Sequence, residues 1–329
     1  MGFRNCGKFC IFAAMEKKYA IGADIGGTNT ALALVCDDGV VAMRSALPTA
    51  GGTPREYMQA LAAEVDRMLS ASGVKREEVA GIGMGAPCAN FRTGVIEAAT
   101  NMPWPSPIPL RTLAEKTLRL PVAVSNDANA AAVGEMRYGA ARGMTDFIML
   151  TLGTGVGSGV VVDGHLLTGF RGFAGELGHC SIRVHGQGRK CACGRPDCLQ
   201  AYCSARGVAD TGREELRRHG LSAPEALTAR DVGEAADRGE QWALEAMRRT
   251  GEALGRAAAD FVTFSDPEAI ILFGGIAHAF RHFAPAMKLA FRENALGLYA
   301  DVKFLASTLP EADAALLGAA SLITMNNAK

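Results

Sequence analysis

Residues 19–39, YAIGADIGGTNTALALVCDDG, set the expected architecture of the chain. Tyr19–Ile25 and Ala31–Cys36 are apolar runs that predict two strands, with Gly26-Gly27-Thr28 as the tight turn between them. Asp37-Asp38-Gly39 is typical of a hairpin turn that leads into a third strand. The chain therefore opens with antiparallel strands and not with the parallel crossover of a Rossmann fold.

The same pattern returns 127 positions later, measured from Gly26 to Gly153. Phe147–Leu152 predicts a strand, Gly153-Thr154-Gly155 a turn, and Val156–Val162 a second strand. A repeat at this distance indicates two similar half-molecules, because solenoid repeats recur every 20–50 residues or so.

Each glycine turn offers backbone N–H groups that no side chain obstructs, together with a threonine hydroxyl. These groups suit the oxygens of a polyphosphate and its Mg²⁺. A single turn of this kind is more often purely structural, but two facing turns favour a phosphate clamp. The predicted phosphate ligands are Gly26, Gly27, Thr28, Thr154 and Gly155.

Two further features fit a nucleotide site. Asp24 lies in an apolar run before the first turn, where a carboxylate would organise magnesium-bound waters or orient an acceptor. Ala269–Phe273 predicts a buried strand, and Gly274-Gly275 after it would let a base or ribose approach the backbone.

Asp127 lies between a predicted strand, Val122–Val124, and a predicted helix that runs from Ala130 to Tyr138. One interpretation is a helix N-cap, for which Asn and Asp are favoured residues. The other is a general base, because phosphoryl transfer to an alcohol needs a positioned carboxylate to accept the hydroxyl proton.

A zinc-binding loop is predicted at 179–198. Eleven residues separate His179 from Cys191, and four separate Cys193 from Cys198. One histidine and three cysteines fill a tetrahedral site and leave no open position, so the expected Zn²⁺ is structural. The alternative is a set of ordinary buried thiols.

The chain has 329 residues, of which 49% are hydrophobic, enough for about two domains. Lys plus Arg equals Asp plus Glu at 34 each, so neither nucleic acid nor an anionic membrane is an expected partner. The odd number of cysteines, nine, favours a reduced cytoplasmic protein. The apolar run near the start is shorter than a signal-peptide core, so 1–17 is expected to be an N-terminal extension.

Helical spacing of apolar residues predicts helices at Pro54–Leu69, Gln241–Phe264 and Glu311–Ile323. The hydrophilic stretch 207–239 is expected to form surface helices and loops without site chemistry.

In combination, these motifs resemble the ROK family (repressor, open reading frame, kinase) of sugar kinases, and most of all its bacterial glucokinases. The resemblance covers 18–323. It rests on the motifs Asp24-Ile25-Gly26-Gly27-Thr28-Asn29, Asn101-Met102-Pro103-Trp104, Asn126-Asp127-Ala128-Asn129, Leu152-Gly153-Thr154-Gly155, Gly175-Glu176-Leu177-Gly178-His179 and Cys191-Ala192-Cys193-Gly194 through Cys198-Leu199.

The resemblance implies an α/β protein with the actin-like ATPase (ribonuclease H-like) fold, in which two α/β domains flank a central cleft. The domains would comprise 18–125 with 308–329, and 126–307. The implied activity is ATP-dependent phosphorylation of glucose to glucose 6-phosphate. The implied assembly is a homodimer, with a tetramer as the alternative.

The resemblance also implies site roles. Asp127 would take the proton of the sugar 6-hydroxyl, and Gly274-Gly275 would lie on the adenosine side. His179 would serve sugar and zinc through its two ring nitrogens. The residues that would hold the other hydroxyls are Asn101, Asn126, Glu176 and His179, and Asn90 is a further expected sugar contact.

Gln200 departs from the family, which usually has a sugar-binding glutamate at this position. Glutamine keeps an acceptor oxygen but loses the charge and gains an NH₂ donor. Since bonds to a charged acceptor are stronger, weaker sugar affinity or altered substrate choice is expected, with Gln200→Glu as the test.

Other functions stay open at this point. Within the class, the acceptor could instead be mannose, allose, N-acetylglucosamine or N-acetylmannosamine. A sugar-responsive repressor of the same family would need a helix-turn-helix domain, and the 23 residues before Asp24 show neither that pattern nor a basic patch. A non-catalytic sugar sensor would not require Asp127 or two phosphate turns.

Overall fold

The computed structural model describes residues 18–98, 102–182 and 188–326, and the statements below concern these residues. The predicted extension 1–17 and the predicted sugar ligand Asn101 lie outside them. The strands are β1 (Tyr19–Ile25), β2 (Asn29–Cys36), β3 (Val41–Pro48), β4 (Val79–Gly85), β5 (Val122–Ser125), β6 (Phe147–Leu152), β7 (Val156–Val162), β8 (His165–Leu166), β9 (Ala269–Phe273) and β10 (Lys303–Ala306). The α-helices are α1 (Pro54–Ser72), α2 (Leu110–Leu118), α3 (Asp127–Tyr138), α4 (Gln200–Cys203), α5 (Ala205–Arg218), α6 (Ala229–Asp237), α7 (Gln241–Ser265), α8 (Phe280–Asn294) and α9 (Glu311–Asn326).

The two five-stranded sheets have the same topology when the strand order of one is read in reverse. Their strand orders are β3-β2-β1-β4-β5 and β10-β9-β6-β7-β8. In the first sheet β1 and β2, and β2 and β3, pair antiparallel, whereas β4 joins β1 and β5 as parallel neighbours. In the second, β6, β7 and β8 form the antiparallel part, and β9 and β10 the parallel part. The predicted internal duplication is confirmed.

Local sequence explains where α1 begins and ends. The Thr53 side chain accepts a hydrogen bond from the Glu56 backbone N–H and the Glu56 side chain accepts one from that of Thr53, which together form a capping box, and Pro54 starts the helix. Gly73 ends it in a left-handed conformation, with φ of 70°. Apolar residues at helical spacing bury one face of α1 against the first sheet; they are Tyr57, Met58, Leu61, Val65, Met68 and Leu69.

Helices α3 and α9 pack against each other between the two sheets. The C-terminal helix α9 also contacts β1 and β4, so the end of the chain returns to the first sheet, as the family resemblance implies. Helix α3 contacts β7 and β6 of the second sheet. In this way α3 fixes the first residues after β5 close to the second glycine turn.

The predicted bounds of β1, β6, β7 and β9 are confirmed. Strand β2 and helix α3 each begin a few residues before their predicted first residues, Ala31 and Ala130. Strand β2 begins at Asn29 because Asn29 already pairs with Pro48 of β3. Helix α3 begins at Asp127 because Asn126 caps it.

None of the helices formed by the described residues combines the length and hydrophobicity that crossing a bilayer requires.

Candidate active site

Asp24, Gly85 and Ser125 form one row across the first sheet. The β1–β4 register pairs Asp24 with Gly85, and the β4–β5 register pairs Gly85 with Ser125. Neighbouring strands lie about 4.8 Å apart, and parallel strands end at the same edge of a sheet. Asp127 follows Ser125 by two residues, so both carboxylates lie at this edge.

The pKa of Asp24 is affected by its position near Asp127. Burial raises the pKa of its carboxyl group, and the negative charge of Asp127 raises it further. A carboxylate whose charge is disfavoured by a neighbouring carboxylate suits a cation beside it. The pair is therefore a candidate position for Mg²⁺ and its waters.

A pH-dependent stability change is expected for Asp24→Asn. Because the pKa of Asp24 is raised, the folded protein binds this proton more tightly than the unfolded chain does, and stability falls as pH rises through the folded-state pKa. The neutral amide should raise the Tm at pH 7–8, and the gain should vanish as pH falls below the ordinary value of 3.8. Loss of a charge that orients a bound cation should lower the rate of a Mg²⁺-dependent reaction at this edge by roughly 10²-fold.

Thermal unfolding from pH 3 to 8 measures the stability effect, with Asp301→Asn as the control at an exposed position. A lower Tm for Asp24→Asn at pH 7–8 would contradict the expected sign.

Asn126 is the residue that caps α3. Its Oδ1 accepts a hydrogen bond from the Asn129 N–H at 2.7 Å. Asp127 is the first helical residue, exposed, with its Oδ1 2.8 Å from the Ala128 N–H. The N-cap interpretation of Asp127 was therefore wrong, and its carboxylate is open to a substrate.

The second glycine turn, 153–155, lies beside the start of α3. Strands β6 and β9 run parallel with Thr151 opposite Phe273, so this turn and Gly274-Gly275 share one edge of the second sheet. Just past the turn, β7 approaches α3 so closely that a Cβ on Gly157 would lie 2.9 Å from the Ala128 Cβ. Only glycine permits this approach, which places the second turn near Asp127.

The loop that carries Glu176 is held by Ser158 of β7. The Ser158 hydroxyl donates to the Gly175 carbonyl and accepts from the Leu177 N–H at 3.0 Å. Glu176 itself is exposed at the start of a short 3₁₀ turn, Leu177–His179. Sequence reasoning missed Ser158, because only the fold brings it to residues 17 to 19 positions away.

Glu176 and Asp127 both act electrostatically on Cys88. The charges of Glu176 and Asp127 both raise the pKa of Cys88, although burial is the larger cause. Cys88 follows β4, at the edge where Asp24 and Asp127 lie. The predicted base and one predicted sugar ligand therefore both lie within electrostatic range of Cys88.

His179, Cys191, Cys193 and Cys198 form a cluster whose ligand atoms all lie within 4.8 Å of one another. The Cys193 and Cys198 Sγ atoms are 3.6 Å apart, and the His179 Nδ1 lies 3.9 Å from the Cys191 Sγ. Zinc–sulfur bonds of 2.3 Å give a tetrahedron with edges of about 3.8 Å. The four side chains fit a closed zinc site.

Hydrogen bonds from the backbone and side chain of Arg195 lower the pKa of Cys193 to about 6. This cysteine is therefore largely a thiolate at neutral pH, which is the form that binds a metal.

Gln200 and Asn90 direct their side chains at protein groups. The Gln200 Oε1 accepts from the Val156 N–H at 3.1 Å, and its Nε2 lies 3.8 Å from the Cys191 Sγ. Buried Asn90 accepts from the Arg92 N–H at 3.0 Å and donates to the Arg171 carbonyl at 2.7 Å. The Asn90 Oδ1 also accepts from the Thr93 N–H at 3.3 Å, and its NH₂ group also donates to Glu97 Oε1 at 3.4 Å. All four hydrogen-bonding positions of the amide are therefore used, so a sugar contact by Asn90, which stays a prediction, would require one of these bonds to break.

The first turn closes through a hydrogen bond from the Gly26 N–H to the Asn29 carbonyl at 3.0 Å. The Thr28 carbonyl accepts from the Thr49 N–H at 2.8 Å, which ties the turn to the end of β3. Gly27 lies between these two anchors, and the Thr28 side chain is exposed.

A cavity of about 520 Å³ opens beside the second turn. Gly153, Thr154 and Gly275 line it, whereas Gly274 lines a smaller cavity behind it. One face of α6 forms another wall, through Arg230, Gly233, Glu234 and Asp237. The stretch 207–239 forms helices as expected, and the polar residues of α6, for which no site role was predicted, face a cavity of the size that ligands occupy.

Comparison with known proteins gives one family. The family model described as the ROK family matches residues 20–326. The chain is 34% identical to the glucokinase of Halalkalibacterium halodurans over 319 residues, which cover 94% of this chain and 96% of that protein. It is 33% identical to the N-acetylmannosamine kinase of Escherichia coli over 303 residues, 91% of this chain and 96% of that one.

A solved structure gives the same result for the fold. A ROK family glucokinase from Streptomyces griseus, in complex with glucose and AMPPNP, matches with a TM-score of 0.73 at 30% identity. The match covers 93% of this chain and 99% of that one. The predicted mixed α/β, actin-like ATPase fold is confirmed.

Proposed function

The chain belongs to the ROK family, and on that basis we propose that it is an ATP-dependent sugar kinase that phosphorylates the 6-hydroxyl of a hexose, with glucose as the first-choice acceptor. The observation that carries the proposal is the position of Asp127. Its carboxylate does not cap α3. It lies at one sheet edge with Asp24 and beside the second glycine turn. A carboxylate next to a phosphate clamp suits phosphoryl transfer to an alcohol.

In this mechanism Asp127 accepts the hydroxyl proton as the oxygen attacks the γ-phosphorus, and the bond from that phosphorus to the β,γ-bridging oxygen breaks to release ADP. The dipole of α3 stabilises the negative charge that Asp127 carries before the reaction. The two turns bind phosphate oxygens through backbone N–H groups. Asp24 would orient the waters of a bound Mg²⁺, and the cation would supply positive charge to neutralise the phosphates. The cavity beside Thr154 and Gly275 would take the nucleoside.

Glu176 and His179 would hold the remaining sugar hydroxyls, together with Asn101 and Asn126. Asn126 uses its Oδ1 to cap α3, which leaves its NH₂ group to donate to a sugar oxygen. His179 presents Nδ1 to the cysteine cluster. Its Nε2 is then the atom for the sugar, and a Zn²⁺ at the cluster would fix the orientation of the ring.

The preferred acceptor needs experiment, because the glucokinase and N-acetylmannosamine kinase relatives are 34% and 33% identical to the chain. The residues proposed to hold hydroxyls would contact groups that these sugars share. Glucose is placed first because glucokinases resemble the chain over its whole motif set.

The deciding experiment measures ADP release from ATP and Mg²⁺ with glucose, mannose, allose, fructose, N-acetylglucosamine and N-acetylmannosamine. Turnover on one sugar that depends on Asp127 would establish the kinase and identify its substrate. No turnover with any sugar, together with measurable sugar binding, would instead indicate a sensor. Neither turnover nor sugar binding would contradict the proposal.

The other proposals rest on the geometry of the cysteine cluster, for zinc, and on the family resemblance, for the assembly and the domains. They are a structural Zn²⁺ at the cysteine cluster, a cytoplasmic homodimer, and division into domains 18–125 with 308–329 and 126–307. Light scattering of the purified protein would test the dimer.

A further inference from the structure

Segment 200–205 forms hydrogen bonds to both ends of the second glycine turn, 153–155, which is called the second phosphate turn below. At one end, the Ala205 N–H donates to the Gly153 carbonyl at 2.8 Å. At the other end, the Gln200 Oε1 accepts from the Val156 N–H at 3.1 Å. The conformation of the turn therefore depends on where this segment lies.

Gln200 also contacts the cysteine cluster. Its Nε2 lies 3.8 Å from the Sγ of Cys191, a side chain that is 4% exposed. The two ends of one amide thus join a cluster sulfur to a backbone N–H of the turn. Only an amide can do both, because it carries an acceptor and a donor, whereas a carboxylate would present a second acceptor to the sulfur.

The residue before Val156 is compatible with this contact. A Cβ on Gly155 would lie 2.7 Å from the Gln200 Oε1. Glycine at 155 thus leaves room for the Gln200 side chain to reach the turn, in addition to exposing its own N–H.

We propose that Gln200 is a positioning residue that couples metal binding at the cysteine cluster to nucleotide binding at the second phosphate turn. Metal binding fixes the position of Cys191. The Gln200 amide is then held by its contact with the Cys191 Sγ, and its oxygen in turn holds the Val156 N–H and the turn. The proposal rests on the proposed function. It gives the glutamine a role of its own at a position where the family usually has glutamate.

Thermodynamic linkage supplies a measurable consequence. If metal raises nucleotide affinity by some factor, nucleotide raises metal affinity by the same factor, and such factors are commonly about 5 to 150. Coupling is thus measurable on the metal-loaded protein, without preparing a metal-free form.

The experiment measures Zn²⁺ affinity by competition with a chromogenic chelator, with and without saturating AMPPNP and Mg²⁺. In the native protein AMPPNP should tighten Zn²⁺ binding about tenfold. Gln200→Met keeps the side-chain length but removes both contacts, and should bring the factor to within about twofold of one. Gln59→Met, at an exposed position of α1, should keep the native factor.

The proposal would be overturned if AMPPNP tightened Zn²⁺ binding by Gln200→Met as much as by the native protein. It would also be overturned if the native protein bound AMPPNP but bound no Zn²⁺, or bound Zn²⁺ with an affinity that AMPPNP does not change. Absence of AMPPNP binding by the native protein would instead contradict the proposed kinase function. If Gln200→Met does not fold, Gln200→Glu decides the question. It keeps the acceptor for Val156 and should weaken Zn²⁺ binding by about tenfold, the scale of losing a group that supports a metal ligand. Undiminished Zn²⁺ affinity in Gln200→Glu would overturn the proposal.

Discussion

Replacement Asp127→Asn is expected to lower kcat by roughly 10²–10⁴-fold, the usual contribution of a general base. The amide has nearly the same shape as the carboxylate but accepts no proton from the sugar hydroxyl. Folding should be unaffected, since Asn126 caps α3 and, among the residues that the structure describes, the Asp127 carboxylate hydrogen-bonds to the Ala128 N–H alone. Initial rates at saturating sugar and ATP, with calorimetric sugar titration, measure both parts of the expectation.

Asp301→Asn is the matched control, because it makes the same chemical change at an exposed position away from both glycine turns. It should keep the native kcat. Loss of sugar binding together with activity in Asp127→Asn would show that Asp127 has a structural role and would remove it as the base.

The duplicated hairpins were predictable from sequence because they rest on local patterns. Apolar runs interrupted by a glycine turn define β1, β2, β6 and β7, and the bounds of three of these four strands were predicted to the residue. Strand β4 was missed: it is buried on both faces and includes three glycines, so it shows no alternation of polar and apolar residues.

The features of the candidate site also differ in whether a local sequence pattern predicts them. The cysteine cluster and the position of Asp127 follow from short spacings and a strand-to-helix junction. Helix α6 and Ser158 could not be found in this way, because their roles depend on which distant strands and loops they contact. The contact between Gln200 and Val156 likewise joins positions 44 apart along the chain, which no local pattern reveals.

Cys193→Ser is expected to abolish tight Zn²⁺ binding and to lower thermal stability and activity together. A hydroxyl is a poor zinc ligand, and the pKa of Cys193, lowered to about 6, makes its thiolate the ligand best prepared for the metal at neutral pH. Without the metal, His179 loses a fixed orientation and the loop that carries Glu176 loses support. Activity should fall at least about tenfold, as measured by metal content, thermal unfolding and initial rates on one preparation.

Cys180→Ser provides the control for that experiment. Cys180 is an exposed cysteine next to His179 but outside the four-residue cluster, so its replacement should leave metal content, Tm and rate unchanged. If Cys180→Ser and Cys193→Ser behaved alike, the loss would reflect general sensitivity of this loop to substitution. A metal-free Cys193→Ser protein with full activity would show that the cluster does not support catalysis, because the orientation of His179 and the Glu176 loop would then not depend on zinc.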